Sequence, residues 1–117
     1  MNRWSKYGAR KTICNQGHKH ASKKEAHRCD ELTLLEKAGE IANLEQQPKN
    51  VLQDGFLYKG KKIRAITYTA DFRYWDVSRK VFVIEDTKGY RTPVYRLKKK
   101  LLLFSGRYDD SEIFEES

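Results

Sequence analysis

The sequence predicts a mixed α/β (α+β) fold in which a central sheet of mixed strand direction is flanked by helices. Three observations lead to this prediction: a capping signal that opens a helical apolar period, a middle segment rich in β-branched and aromatic residues, and a second amphipathic segment after it. In chain order the predicted elements are a helix, three strands, a helix and a strand. The 117 residues are enough for a single domain over 1–117, and 38% hydrophobic residues can fill one modest core.

The first helix is predicted to run from the capping box of Ser22 and Glu25 to about Ala38, with a glycine ending it. Its predicted buried stripe consists of Leu32, Leu35 and Ala38. Glu25, Cys29 and Leu32 follow one another at i, i+4 and i+7, so they share one face of the helix. Glu25 is therefore expected along a largely apolar stripe instead of in open solvent.

Three strands are predicted between the helices: Ile41–Leu52 is predicted as a turn into a strand, and Ile63–Trp75 and Val81–Lys88 as the next two strands. Pro48 indicates that the first of them is an edge strand or contains a bulge. Tyr58–Lys62 is predicted as a turn between strands, and Asp76–Lys80 as a hairpin loop.

The second helix is predicted to begin with Thr92 as N-cap and Pro93 as first helical residue, and to end at the glycine at 106. Its predicted apolar stripe consists of Val94, Leu97, Leu101 and Phe104, which repeat at intervals of three and four. Residues 112–115 are predicted as a short last strand.

Charge is spread unevenly along the chain. The formal net charge is +8, but residues 109–117 form an acidic tail without a cation, so residues 1–108 carry +13. Residues 1–11 are predicted as a basic arm that could lie on phosphates, with a frayed terminus as the alternative. A body this basic points to a polyanionic partner.

The longest apolar run, Leu101 to Phe104, is far shorter than the roughly 20 residues of a membrane span. The N-terminus lacks the apolar stretch of a signal peptide. We therefore expect a cytoplasmic protein with reduced cysteines, no membrane partner and no small-molecule cofactor.

Acidic residues and one lysine form the main functional signal. Asp86 and Lys88 are two apart on a predicted strand, so their side chains leave the same face, whereas Glu85 is expected on the opposite face in a structural role. Asp71 lies within an apolar run, where a charge needs a partner or a metal. If the two strands form a hairpin, Asp71 and Asp86 converge at one end of the sheet, and Glu25 could complete the cluster.

Each of these residues also has a structural alternative. Asp86 could form an ion pair with Lys88, and Glu25 could serve only the capping box. Asp71 could pair with the nearby Arg73.

Phosphodiester hydrolysis requires a water made nucleophilic at neutral pH, and positive charge on the pentacoordinate phosphate and the leaving oxygen. Carboxylate oxygens hold Mg²⁺, which does much to activate the water and supplies much of the positive charge. A lysine beside the metal can stabilise charge, or orient or deprotonate the water. Two acids followed by an Asp-x-Lys pattern are therefore a compact set of groups for hydrolysing nucleic acid.

The order of these elements resembles the PD-(D/E)xK nuclease superfamily, with a helix carrying Glu25, a strand with Asp71, a strand with Asp86 and Lys88, and then a basic helix. More closely, about residues 5–105 are similar to a family of small phage-encoded proteins of this superfamily, long catalogued as a domain of unknown function. The segments that carry the similarity are Ser22–Ala26, Leu34–Gly39, Gln47–Pro48, Ala65–Phe72, Glu85–Asp86 and Lys88–Gly89. One departure is Ala70, which stands where a proline often precedes the acid.

The resemblance implies a restriction-endonuclease-like core and a Mg²⁺-dependent DNA endonuclease, with Mn²⁺ as an alternative metal. It implies that Asp71 and Asp86 are metal ligands, and that Glu25 is the helix-borne acid of the same metal site. Lys88 would be the catalytic lysine.

Basic residues surround the second helix: Arg91, Arg96, Lys98, Lys99 and Lys100. Tyr95 and Lys99 are spaced i, i+4 and lie off the apolar stripe. In many nucleases of the superfamily this helix borders the active site, so the resemblance implies contacts of Tyr95 and Lys99 with the scissile phosphate. The alternative is a solvated run of charges. No base-reading motif is evident in the sequence, so we expect DNA recognition by shape and backbone.

Both cysteines and all three histidines of the chain lie between positions 14 and 29. The set of Cys14, either His18 or His20, and Cys29 could hold a tetrahedral zinc ion in a structural role. His27 is separated from Cys29 by about 200° of helix rotation, so both cannot easily bind one ion. The alternatives are a buried Cys29 with histidines on a wet loop, or His20 beside the active-site metal.

The first functional hypothesis is a structure-specific endonuclease, such as a Holliday-junction resolvase. It would act on branched DNA in phage recombination or replication, as a homodimer in the bacterial host cell. A chain of 117 residues has little room for a separate sequence-reading domain. The alternatives are a DNA-end or single-strand nuclease, a nicking subunit of a larger machine, a non-catalytic DNA-binding accessory protein, and a zinc-stabilised interaction module that uses the acidic tail.

Overall fold

The computed structural model describes residues 12–87, 92–106 and 111–116. The predicted basic arm, Lys88, Arg91 and the first residues of the acidic tail lie outside the described residues.

The helices are α1 (Lys23–Lys37) and α2 (Pro93–Ser105). The strands are β1 (Thr12–Ile13), β2 (Lys19–His20), β3 (Ile41–Gln46), β4 (Lys49–Gln53), β5 (Phe56–Tyr58), β6 (Lys61–Ile63), β7 (Ile66–Thr69), β8 (Phe72–Asp76), β9 (Val81–Asp86) and β10 (Glu112–Glu116). Within the described residues, neither helix is long and apolar enough to cross a membrane.

Helix α1 begins and ends where the sequence predicts. Ser22 is the N-cap, and its Oγ accepts a hydrogen bond from the backbone N–H of Glu25 at 3.2 Å. After Ala38 the chain turns at Gly39, whose φ of 79° lies in the left-handed region that favours glycine. Cys29 is buried on the predicted face, but Ala38 is exposed at the C-cap, so the predicted buried stripe is one turn too long.

The central sheet has four strands in the order β10–β9–β8–β3. Its direction is mixed, as predicted, because β10 runs parallel to β9 while β8 is antiparallel to both β9 and β3. Strands β8 and β9 form a hairpin around the predicted loop, and Phe72 pairs with Glu85 at its open end. This register places Asp71 and Asp86, the next residues outward, at the same end of the sheet.

The prediction of one continuous strand over Ile63–Trp75 is wrong, because the chain breaks it twice. At the first break β6 ends its hairpin with β5, and β7 begins a separate pairing with β4. At the second break the Ala70 N–H donates to the Pro48 carbonyl at 3.1 Å, and the Asp71 carbonyl accepts from the Gln47 N–H at 2.8 Å. These bonds carry the chain from the β4–β7 pair into the central sheet.

The predicted strand over Ile41–Leu52 likewise splits, into β3 and β4. Gln47 adopts a left-handed φ of 50° and Pro48 follows it, so the ladder is interrupted where the proline indicated an irregularity. The predicted turn at Tyr58–Lys62 is the tight β5–β6 hairpin, whose two central residues have φ values of 47° and 78°.

The core has two parts, separated by β9. On the α1 side it consists of Cys14, Ala26, Cys29, Leu32, Ile41, Phe72, Tyr74 and Val83. On the α2 side it consists of Tyr68, Ala70, Ile84, Tyr95 and Leu102. Val83 and Ile84 are neighbours on β9 and enter opposite parts, as the alternation of a strand requires. The two helices therefore lie on opposite faces of a mixed sheet.

Helix α2 starts at its predicted N-cap and proline, but its predicted buried stripe is wrong. Three members of that stripe are exposed: Val94 (61%), Leu97 (59%) and Phe104 (64%). Tyr95 and Leu102 are buried instead, because the ring of Tyr95 packs against Tyr68 with centroids 6.1 Å apart. The helix is therefore rotated relative to the prediction and leaves an apolar face open.

The predicted last strand forms as β10, and its glutamates pair with cations of the body. These pairs are Glu112 with Arg73 at 3.1 Å, Glu115 with Arg79 at 2.7 Å, and Glu116 with Lys99. The described part of the acidic tail is thus a strand of the central sheet, fixed by ion pairs.

Glu85 fixes α1 to β9 from inside the core. It is 2% exposed, and its carboxylate accepts from Arg28 Nε at 2.6 Å, from Arg28 Nη2 at 2.8 Å and from the Tyr74 hydroxyl at 2.8 Å. Its side chain lies on the α1 side of β9, opposite to Asp86, as the strand period predicts. A bidentate arginine pair of this kind is strong and directional.

We expect Arg28→Met to lower the free energy of unfolding by about 2–4 kcal/mol, because it leaves a buried carboxylate without its counter-charge. Urea unfolding followed by circular dichroism would measure this. The double variant Arg28→Met/Glu85→Gln should recover a large part of the loss, since the orphaned charge is gone. Equal losses in the single and the double variant would contradict this role of the pair.

Candidate active site and Cys/His cluster

Three carboxylates from three elements meet at the open end of the β8–β9 hairpin. Glu25 comes from the first turn of α1, Asp71 immediately precedes β8, and Asp86 ends β9. They are buried, with exposed fractions of 4%, 8% and 0%. The Asp71 carboxylate interacts with both Glu25 and Asp86. The structure thus brings together the three acids singled out in the sequence, here termed the carboxylate cluster, while Lys88 lies outside the described residues.

Asp71 is held in its charged form by its neighbour Thr87. Both the backbone N–H and the hydroxyl of Thr87 donate to Asp71 Oδ2, each at 2.7 Å. Burial alone raises the pKa of Asp71, but these bonds outweigh it and hold the pKa below its usual range. Sequence reasoning missed Thr87, whose only signal is a hydroxyl residue inside the Asp-x-Lys pattern.

Glu25 lies between Asp71 and a buried histidine. The His20 Nδ1–H donates to Glu25 Oε2 at 2.5 Å, so the carboxylate is directed to His20 instead of closing the capping box. Burial, and then the negative charge of Asp71, raise the pKa of Glu25. A proton or a cation bound to Glu25 therefore relieves the repulsion between Glu25 and Asp71.

Asp86 is oriented by a tyrosine from β7. The Tyr68 hydroxyl donates to Asp86 Oδ2 in a short hydrogen bond. Burial and the charge of Asp86 raise the pKa of Tyr68, so its hydroxyl stays protonated and remains a donor. Tyr68 carried no signal in the sequence, where it was only one aromatic residue of a β-rich segment.

The donor chemistry of the carboxylate cluster fits a hard divalent cation. Carboxylate oxygens are the protein ligands that Mg²⁺ prefers, and Mg²⁺ sites typically use one or two of them. Adjacent buried carboxylates repel each other, and a bound cation offsets this repulsion.

The Cys/His cluster, which consists of Cys14, His18, His20 and Cys29, could hold a metal ion. One ligand atom from each residue lies within 4.8 Å of the others. The Sγ atoms of Cys14 and Cys29 are 3.3 Å apart, and His18 Nδ1 lies 3.6 Å and 3.4 Å from them. Both histidines left as alternatives by the sequence belong to the cluster, whereas His27 is exposed on α1.

The two thiols of this cluster differ in acidity. Burial raises the pKa of Cys14, but the neighbouring side chains of His20 and Cys29 outweigh burial and lower the pKa to about 6. Burial and the contact with Cys14 raise the pKa of Cys29 to about 12. Cys14 is therefore the more acidic of the two thiols, and the thiolate is the form of cysteine that binds metals.

Two predicted phosphate-binding residues on α2 contact β10. Tyr95 is 6% exposed, and its hydroxyl donates to Glu116 Oε2 at 2.5 Å. Lys99 forms an ion pair with the same carboxylate. Arg96 is exposed and Lys98 is half-buried on the same helix. Lys99 can therefore reach a phosphate only by leaving Glu116, whereas Arg96 already faces solvent.

A cleft of about 410 Å³ lies beside Thr87, along the outer face of α1. Its lining residues are Lys24, His27, Arg28, Glu31 and Thr87. Thr87, which donates to Asp71, is therefore the residue that the cleft and the carboxylate cluster have in common. No sequence pattern singles out Lys24, because an exposed lysine on a helix is common.

Neither a curated protein nor a solved structure matches this chain. One family model, described as "Protein of unknown function (DUF1064)", matches residues 4–114. The match spans α1, the central sheet and most of β10, and includes both the carboxylate cluster and the Cys/His cluster. The chain therefore belongs to the DUF1064 family of proteins of unknown function.

Proposed function

We propose that this protein is a Mg²⁺-dependent DNA endonuclease that hydrolyses phosphodiester bonds at the carboxylate cluster. The observation that carries the proposal is the burial of Glu25, Asp71 and Asp86, with Asp71 interacting with both of the other acids. In the sequence, Thr87 and Lys88 directly follow Asp86. Carboxylates buried side by side cost free energy unless they share a proton or bind a cation. A restriction-endonuclease-like core is part of the same proposal, which draws support from a mixed central sheet with α1 before its β8–β9 hairpin and α2 after it.

In this proposal Asp71 and Asp86 hold the ion, and Glu25 is the third carboxylate beside it. Thr87 keeps Asp71 charged and Tyr68 orients Asp86, so the ligand oxygens are fixed before DNA binds. When bound, Mg²⁺ (or Mn²⁺) supplies positive charge to the phosphate and makes water more acidic. Water attacks phosphorus in line with the leaving oxygen, and the bond from phosphorus to that oxygen breaks.

Lys88 is the catalytic lysine in this proposal. Because it directly follows Thr87 in the chain, it lies next to the residue that holds Asp71. Its ammonium would stabilise charge on the phosphate, or orient or deprotonate the attacking water. This assignment rests on the Asp-x-Lys pattern and on the resemblance to the nuclease superfamily.

In this proposal, cationic side chains on both helices contact the phosphates of the DNA backbone. The cleft beside Thr87 presents Lys24 of α1, while Arg28 in the same lining is held by Glu85, and a phosphate bound in this cleft would contact Lys24 beside Thr87. On α2, Arg96 and Lys98 extend the basic surface. Such contacts position a duplex without reading its sequence.

Recognition by shape favours a branched substrate, such as a Holliday junction in phage recombination or replication. A homodimer would supply the two active sites that cutting paired strands of a junction requires. The exposed apolar face of α2, with Val94, Leu97 and Phe104, is a surface that a second copy could cover. The assignment to junctions is an analogy at the level of the fold.

We expect the native chain to cut DNA with Mg²⁺ or Mn²⁺ and to be inactive in EDTA. Asp86→Asn keeps an acceptor for Tyr68 but removes the charge, so cleavage should fall by about 100-fold or more while DNA binding is kept or strengthened. The assay compares a four-way junction, linear duplex, single strand and splayed-arm DNA. The matched control Glu36→Gln removes an exposed acid from α1 and should cut normally.

Two outcomes would contradict the nuclease proposal. One is tight DNA binding without cleavage under any metal, which would indicate a DNA-binding accessory protein. The other is cleavage by Asp86→Asn at the native rate, which would place the activity elsewhere or in a contaminant. Preferred cutting of ends or single strands would keep the enzyme and replace the junction as its substrate.

The cleft beside Thr87 makes a separate prediction about DNA affinity. Lys24→Ala should weaken binding to the preferred substrate about 3- to 10-fold and reduce the salt slope of log Kd by about one, because one phosphate contact is lost. Fluorescence anisotropy at several salt concentrations measures both quantities. The control Lys37→Ala removes an equally exposed lysine from the other end of α1 and should change little. Equal effects of the two variants on DNA affinity would contradict a role of the cleft in binding DNA.

A further inference from the structure

We propose that Cys14, His18, His20 and Cys29 bind a structural Zn²⁺ ion, and that Glu25 couples this ion to the carboxylate cluster through His20. The zinc site itself does not depend on the nuclease proposal. Only the significance of the coupling for catalysis rests on it.

The spacing of the four side chains suits zinc. With Zn–S near 2.3 Å and Zn–N near 2.0–2.1 Å, a tetrahedral ion puts two sulfurs about 3.8 Å apart, and a sulfur and a nitrogen about 3.5 Å apart. The Cys14 and Cys29 sulfurs are separated by 3.3 Å, and His18 Nδ1 lies 3.6 Å and 3.4 Å from them. For these three side chains, movements of about half an ångström or less would admit the ion, and the His20 ligand atom lies within 4.8 Å of the other three. Two thiolates and two imidazoles form a closed, soft ligand set of the structural type.

The local fold presents these ligands from a rigid turn and a helix. The Cys14 N–H donates to the His18 carbonyl at 3.0 Å, and the Gly17 N–H donates to the Cys14 carbonyl at 3.0 Å. This turn joins β1 to β2, whose second residue is His20. The Asn15 N–H donates to an Asp30 carboxylate oxygen at 2.9 Å, which fixes the turn next to Cys29 on α1. The ligands are therefore brought together by backbone structure and not by chance side-chain rotation.

His20 carries the second observation that points to a ligand. It is 2% exposed, and within the part of the chain that the structure describes its Nε2 has no hydrogen-bond partner. Its other nitrogen, Nδ1, carries the proton and donates to Glu25. Because Glu25 occupies Nδ1, Nε2 is the nitrogen available to a metal, which binds it in place of a proton. A carboxylate that fixes the far nitrogen of a metal-binding histidine is a recurrent feature of zinc sites.

Glu25 consequently faces two sites. One of its oxygens orients His20, while its charge interacts with Asp71 in the carboxylate cluster. With zinc bound, His20 is locked and Glu25 is held at a fixed distance from Asp71. Glu25 is thus a positioning residue for zinc, and the zinc ion fixes the geometry of one wall of the carboxylate cluster.

Metal analysis of untagged protein, purified under reducing conditions without chelator, tests the zinc site directly. We expect about one zinc per chain, and loss of most of it in Cys14→Ser and Cys29→Ser. His27→Ala is the matched control, since His27 is exposed and outside the cluster, and it should keep its zinc. A native chain without zinc, or with only a Cys14–Cys29 disulfide, would overturn the proposal.

Cobalt substitution covers the case in which the cysteine variants fail to fold. Co²⁺ exchanged into the native chain should give intense visible bands of tetrahedral coordination and a near-ultraviolet band from thiolate ligands. Weak bands of octahedral coordination would overturn the ligand set.

The coupling through Glu25 is tested by zinc affinity, measured in competition with a chromophoric chelator. We expect Glu25→Gln to weaken zinc binding about 10-fold or more, because a carboxylate no longer supports the His20 N–H. Asp71→Asn alters the same carboxylate cluster without touching His20 and should leave zinc affinity unchanged. Unchanged affinity in Glu25→Gln, or equal weakening in both variants, would overturn the coupling. Since none of these readouts uses DNA cleavage, they remain interpretable if the nuclease proposal fails.

Discussion

Keeping three carboxylates together inside the protein, against their mutual repulsion, is the constraint on which the site depends. The antiparallel register of β8 and β9 sets Asp71 beside Asp86 at the open end of their hairpin. Each acid then receives its own support: Thr87 donates twice to Asp71, Tyr68 donates to Asp86, and His20 donates to Glu25. These donors come from separate elements, so the whole end of the sheet has to be folded before the cluster exists.

Much of the fold could be predicted from local signals in the sequence. The capping residues Ser22 and Thr92 set the starts of both helices, and the strand period set the opposite directions of Glu85 and Asp86. The predictions that were wrong concerned features that long-range packing decides. The run Ile63–Trp75 has uniform β-propensity, and only its different pairing partners divide it. The buried face of α2 is set by Tyr95 packing on Tyr68, which no periodicity in the helix reveals.

The acids of the site were visible because charges inside apolar runs are unusual, but their supporting groups were not. A hydroxyl such as that of Thr87 has no signal until the fold places it beside Asp71. The Cys/His cluster was visible by residue type, yet the choice between His18 and His20 required the turn that brings both to Cys29. In the structure the two clusters are neighbours joined by His20 and Glu25, so the proposed hard-cation site and the proposed zinc site share one wall.

Direct measurement of cation binding shows whether the carboxylate cluster is a metal site, without any assumption about the DNA. Mn²⁺ bound to the native chain can be titrated by electron paramagnetic resonance and displaced with Mg²⁺. We expect saturable binding that Mg²⁺ reverses, and that weakens about 10-fold or more in Asp71→Asn but not in Glu36→Gln. Equal Mn²⁺ affinity in the native chain and Asp71→Asn would contradict this expectation, because the buried carboxylates would then not be a metal site.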